Sequence, residues 1–473
     1  MKKEDICYMP VCDMADKIES QELTSQEITE ILIERIERIN PIINAYCIPT
    51  FELAREMAKK ADNSLKKGHK LGLLHGIPLS IKDELEVKDF RTTFGTKLFE
   101  NNISVKDAVV VERLREAGSV ILGKTNLPPL GSKGITDNLI FGPTRNPWNI
   151  ERTSGGSSGG AAAAVASGLS PLALGSDGGG SIRIPSSFCG VYGIKPTYGR
   201  IPQTTVSLLG YISTFVQRGP IVRYVKDAAL MLDIMVGEHP LDINSLPKPN
   251  FSYLEKINEK PKNLKIGYSL TLGFAKTIDP EVKKNVLNAI DKFENFDWPV
   301  EESKIRIRNA ELTMWTIWTT SFAKILRPVL KKRDIKIDDE LFGTMKIGMT
   351  FSKQDIRNAK KERERISETI SRYFKNYDIL ITPTLACPAF EIDKSFPKQI
   401  DGKEVNPGAW MPFTYPFNMS RHPAASIPCG WSSEGLPIGM QIVGKMNDEL
   451  SVLQVSKAFE EIAPWQDKRP QFN

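Results

Sequence analysis

Histidine is scarce in this chain. Four occur in 473 residues, at His69, His75, His239 and His422, and no H-E-x-x-H pair is among them. A metalloprotease-type zinc helix is therefore excluded. Cysteine is nearly as sparse. The six, at Cys7, Cys12, Cys47, Cys189, Cys387 and Cys429, form no C-x-x-C pair, so neither a disulfide framework nor a zinc ribbon is expected. Cys7 and Cys12 have four residues between them and no histidine nearby. No apolar run approaches the roughly 18 residues that a membrane span needs. Glu4 and Asp5 sit where a signal peptide would carry its apolar stretch. The expected address is the cytoplasm, with no membrane partner. Charge of one sign is also lacking. Lys plus Arg number 63 against 57 Asp plus Glu, a net +6, and no dense basic run accompanies that excess. This argues against a nucleic-acid platform.

What is present is ordinary globular material: 41% hydrophobic and 25% charged residues. At roughly 150 residues per domain the length permits about three domains, although one large α/β domain of this size also occurs. Short apolar stretches alternate with amphipathic ones. Thr24 and Glu27 form a capping-box pattern ahead of Ile28, Leu32, Ile36 and Ile39 at helical spacing, with Pro41 as the expected stop. A second helix is expected over Phe51–Lys67, closed by Gly68, and a third over Asp107–Ala117. Ile77–Ile81 reads as a strand that delivers Lys82, and Ser119–Gly123 and Pro171–Gly175 read as strands too. Val225, Ala228, Leu232 and Met235 mark another helix. Residues 237–263 and the tail from Pro464 read as surface segments. The alternation predicts an α/β fold built on a mixed sheet.

Between Thr153 and Gly193 small residues dominate. Gly155-Gly156-Ser157-Ser158-Gly159-Gly160 has linker composition, but it leads straight into the alanine-rich stretch from Ala161 to Ser167. Clustered glycine there points to close backbone approach instead. Asp177-Gly178-Gly179-Gly180-Ser181 has the same character. Successive N–H groups of Gly178, Gly179 and Gly180 can point at one oxyanion, with Ser181 as the nucleophile beside them. A phosphate loop is excluded because no lysine stands at the required place. Residues 155 to 159 also satisfy G-x-S-x-G, which allows a rival reading with Ser157 as nucleophile and His422 as base. No apolar strand precedes Gly155, however, and that reading leaves the triglycine unexplained. If histidine is not the base, Lys82 is the next candidate, since burial lowers a lysine's proton affinity. Its bland alternative is a solvated lysine paired with Asp83 or Glu84.

These motifs resemble the amidase signature family. The resemblance rests on Gly76-Ile77-Pro78 through Lys82-Asp83, the 155–160 segment, Gly175 through Pro185, and Gly193-Ile194-Lys195-Pro196-Thr197. Gly123-Lys124-Thr125-Asn126, Phe141 to Trp148, Gly219-Pro220, Ile381-Thr382-Pro383-Thr384 and Leu436 to Gln441 extend it over most of the chain. It implies one α/β domain over residues 1–473, with a twisted mixed sheet, helices on both faces and a catalytic core near 71–236. It further implies Ser181 as acylated nucleophile, Ser157 as a bridging serine after a cis Gly156–Ser157 bond, and Lys82 as base. Gly178, Gly179, Gly180 and Ser181 are the implied oxyanion donors, with Gly131 on the substrate side. Asp177 and Arg183 are expected to brace the loop. Asp83 and Ser158 are expected around the lysine and the bridge. No cofactor and no metal are implied. The partner is a small-molecule amide, with a homodimer possible.

The family divides into free-standing amidases and the glutaminase chain, or A subunit, of glutamyl-tRNA(Gln) amidotransferase. In the latter, an Asp near Trp410–Asn418 meets the glutamine amino group, and an ungapped reading places Met411 there. Ala463-Pro464-Trp465 also looks like the free-standing branch. A scaffold without turnover is a third class, disfavoured because all three triad positions are filled. Trp315, Trp318 and Phe322 fall at helical spacing and fit either a core stripe or an apolar wall for an acyl group.

Overall fold

An eleven-stranded mixed sheet organises the chain. The structure, a computed structural model, describes residues 1–203, 214–330 and 337–472. In chain order its strands are β1 (Tyr46–Pro49), β2 (Pro78–Lys82), β3 (Val120–Thr125), β4 (Leu172–Asp177), β5 (Tyr192–Lys195), β6 (Gln217–Val222), β7 (Ile266–Tyr268), β8 (Val300–Glu302), β9 (Ile379–Pro383), β10 (Ala424–Trp431) and β11 (Pro437–Gly444). They lie in the order β1-β3-β2-β4-β6-β5-β10-β11-β9-β7-β8. β2 pairs in parallel with both β3 and β4. From β4 through β6, β5, β10 and β11 to β9 every pairing is antiparallel. Parallel pairing then resumes through β7 to β8.

Both faces of the sheet are covered, and the strands show it by alternation. In β9, Ile379 and Ile381 join one apolar cluster and Leu380 joins another. In β11, Ile438, Met440 and Ile442 belong to the first and Val443 to the second. The helices that carry the argument are α1 (Ser25–Ile43), α2 (Phe51–Lys66), α3 (Val109–Glu116), α4 (Gly159–Ala166), α5 (Arg183–Cys189), α6 (Val225–Met235), α7 (Ala310–Leu330) and α8 (Tyr415–Met419). No described helix is long and apolar enough to cross a membrane.

Local signals placed most of these elements. The Thr24–Glu27 capping box forms in both directions at the head of α1. Pro41 does not end that helix. It sits in the last turn, the buried stripe continues from Ile39 to Ile43, and the stop is left-handed Asn44 at φ 52°. The tail departs further from expectation. Trp465 is buried, and the Gln466 carbonyl accepts from Arg223 at 2.7 Å. Residues 237–263 form the largely exposed connection expected, pinned by buried Tyr253.

Candidate active site

β2 delivers the lysine. Leu79 and Ile81 point into an apolar cluster, so strand alternation sends Lys82 to the opposite face. There Lys82 is fully buried. Its Nζ donates to Ser157 Oγ at 2.7 Å and to Ser176 Oγ at 2.8 Å. Burial pushes its pKa down to about 8. Glu84, with Oε2 3.8 Å from Nζ, pulls the other way, and Arg218 reinforces burial. Arg218 in turn donates to Glu84 Oε1 at 3.0 Å.

The glycine-serine stretch is not a linker. It packs so tightly that a Cβ on Gly156 would lie 2.5 Å from the Ile135 backbone, and one on Gly160 would lie 2.4 Å from the Asn126 nitrogen. The Gly156–Ser157 peptide is cis, as the resemblance implied. Ser158 ties this stretch to β4: its Oγ donates to the Ser176 carbonyl at 3.1 Å, and its N–H donates to the Ser181 carbonyl at 3.1 Å. The strand expected to end at Gly175 runs on to Asp177, which is how Ser176 reaches the lysine.

Beyond β4 the triglycine turns around Asp177. Burial opposes that carboxylate's charge, but Arg183 and Asn418 outweigh it and hold the group well below the usual range. Arg183 grips it with Nε and Nη2, each at 2.9 Å, a bidentate fork. Arg183 also donates to the Thr414 carbonyl, Gln441 Oε1 and Asn418 Oδ1. The pair braces the loop against the C-terminal half of the sheet. One of the four expected oxyanion donors is already engaged, for the Gly180 N–H donates to Asp177 Oδ1 at 2.8 Å. Thr414 Oγ1 anchors the loop by donating to the Gly179 carbonyl at 2.7 Å.

Gly179 and Ser181 open on a cavity of about 350 Å³, with Gly131 also in its wall. Trp315, Trp318, Trp410 and Met411 give it an apolar lining. Both readings of the aromatic stripe hold in part: Trp315 and Trp318 face the cavity, whereas Phe322 is core at 1% exposure. Gly131, at φ 65°, leaves room for Ser157, since a Cβ there would stand 3.2 Å from Ser157 Oγ. His422 takes no part. Its ring stacks on Phe374 and meets Ser420 Oγ at 3.0 Å, and burial lowers its pKa to about 3.

The Amidase family model matches residues 27–453 of this sequence. The chain belongs to the amidase signature family. Its relatives include an acylamidase of Rhodococcus erythropolis, 39% identical over 99% of this chain and 98% of that protein. The A subunit of glutamyl-tRNA(Gln) amidotransferase from Sulfurihydrogenibium sp. is 36% identical over 97% of this chain and 98% of that one. Among solved structures, a bacterial aryl acylamidase of the amidase signature enzymes superposes with a TM-score of 0.90 at 30% identity, covering 97% of each chain.

The amidase fold moves one expected neighbour of Lys82. Asp83 turns away to Lys124 Nζ at 2.8 Å and to Thr93, because β2 ends at Lys82 and the chain enters a turn closed by the Leu85 N–H on the Lys82 carbonyl. Its place beside the lysine is taken by Glu84, two residues on. Local sequence offered Glu84 only as a partner of a solvated Lys82, and gave no role to Arg218, Ser176 or Thr414. Glu84 reaches the lysine through the turn after β2. Arg218 and Thr414 arrive from distant segments.

Proposed function

We propose that this amidase hydrolyses linear carboxylic amides by acyl transfer to Ser181, with Ser157 as relay and Lys82 as base. The observation that carries the reading is the buried 2.7 Å contact between Lys82 Nζ and Ser157 Oγ. Deprotonated Lys82 takes the Ser157 proton, and Ser157 takes that of Ser181. Ser181 Oγ then bonds to the amide carbon, and its oxyanion is met by N–H groups of the 178–181 turn. The C–N bond breaks as the proton returns through the relay to the leaving nitrogen, giving ammonia or an amine. Water, deprotonated along the same path, attacks the acyl-enzyme and releases the acid. Gly178, Gly179 and Ser181 remain as donors, since Asp177 holds the Gly180 N–H.

A second reading, the glutaminase chain of the amidotransferase, is favoured by the 36% identity to one such protein. Against it stands Met411, an apolar side chain in the cavity wall where that glutaminase needs a carboxylate. The test is direct. The purified chain alone should release ammonia or amine from simple amides without ATP or charged tRNA. Ser181→Ala should lose both turnover and stoichiometric labelling by a fluorophosphonate while keeping its fold. Labelling retained at another serine, or turnover seen only with tRNA and the amidotransferase's B subunit, would overturn the proposal.

A further inference from the structure

The cavity beside Ser181 carries three ionisable charges in its wall: Lys133, Glu311 and Glu340. Two of them are spent on each other. Lys133 Nζ stands 2.8 Å from Glu340 Oε2 and 3.6 Å from Asp338, and Ser395 Oγ donates to Glu340 as well. Glu311 differs. It stands in the first turn of α7. Among the described residues it forms no ion pair and no hydrogen bond. It is one turn from Trp315 on the same helix face. Gly408, across the cleft, brings the two together: a Cβ there would lie 2.6 Å from Glu311 Oε1 and 3.3 Å from Trp315 Nε1. Burial raises the proton affinity of Tyr415, another wall residue, and the Glu311 charge adds to that rise.

A carboxylate that no described residue compensates, beside two tryptophans of the wall, has a definite chemical complement. Neutral acyl chains gain nothing from it, and anionic ones are repelled. An ammonium gains twice, from the carboxylate and from the indole faces beside it. The volume matters too. About 350 Å³ lies at the small end of ligand cavities, roughly 300 to 1,000 Å³, so a substrate that fills it from Ser181 outward comes within reach of every wall. We infer that Glu311 is a specificity-determining residue that selects amides bearing a cationic amine on an apolar body.

The inference rests on the amidase reading above and deepens it by naming a substrate class. It also supplies from α7 a carboxylate absent at Met411.

The experiment uses the full chain and two matched series. In the first the acyl side varies: 5-aminopentanamide, pentanamide and the monoamide of glutaric acid. In the second the leaving group varies: 4-(aminomethyl)acetanilide against 4-ethylacetanilide. The two arms decide whether the cation sits on the acyl or the amine side. In at least one series the cationic member should have the higher kcat/KM. Glu311→Gln should cut the cationic-to-neutral ratio by about three- to fivefold, chiefly through KM, as expected for a partly exposed charge contact. Glu311→Asp should restore part of it. In the first series the anionic member should gain in the Gln variant. Wild-type enzyme without a cationic preference in either series, or a ratio unmoved by Glu311→Gln, overturns the inference. Failure to hydrolyse any member of either series would instead overturn the amidase reading.

Discussion

The charge balance around Lys82 makes a prediction with a sign. Lys82 has a pKa near 8 because burial outweighs Glu84. A lysine base is active when unprotonated, so kcat/KM should climb with pH through about 8. At pH 6, two units lower, about one molecule in a hundred holds the neutral amine. Glu84 Oε2 lies 3.8 Å from Nζ. At an effective dielectric of about 20, Coulomb's law gives about 4 kcal/mol for that pair, or about three pKa units. Arg218, 3.0 Å from the other carboxylate oxygen, cancels part of this. Glu84→Gln removes the attraction and leaves Arg218 beside the lysine, so the acid limb should move to lower pH, by about one to three units. Arg218→Gln leaves Glu84 unopposed and should move the limb to higher pH. The double variant should fall between them, near the wild type. Asp177 also raises the lysine's proton affinity, but it is held by Arg183 and unchanged in all three. The assay is kcat/KM for an anilide from pH 5 to 10, with Lys82→Ala as the reference for lost base function. Shifts of the same sign in both single variants, or no shift in either, would refute the account.

Two further outcomes test the frame around the site. Arg183→Met leaves the buried Asp177 carboxylate without its fork and should destabilise the fold by about 3 to 5 kcal/mol, read as the midpoint of urea unfolding; a change under about 1 kcal/mol would contradict the bracing role. Phe322→Ala should cost about 3 to 5 kcal/mol of stability because Phe322 is core, whereas Trp315→Ala should raise KM for bulky acyl groups with a smaller loss of stability, because Trp315 faces the cavity. Equal stability losses, with KM unmoved, would show that the stripe is core throughout.

Much of this protein is written locally. The capping box at Thr24, the short apolar strands and the small-residue composition from 155 to 181 are properties of neighbouring residues, and neighbouring residues build them. Lys82 at a strand end and Ser181 after three glycines were legible for the same reason. Pro41 misled because a buried apolar face outweighs a missing N–H in a helix's last turn. Asp83 misled because charge was weighed without the turn that follows β2, which carries Glu84 and not Asp83 to the lysine's side. Three things only the tertiary structure decided. Arg218 reaches Glu84 because β6 pairs with β4, beside β2. Thr414 and Asn418 reach the loop from Asp177 to Ser181 from more than 200 residues away. Glu311 comes to stand beside Trp315 at the cavity, with no ion pair among the described residues, where α7 folds against the segment at Gly408. A sequence sets the chemistry each residue can perform. Which charges meet depends on contacts between segments whose separation carries no local signal.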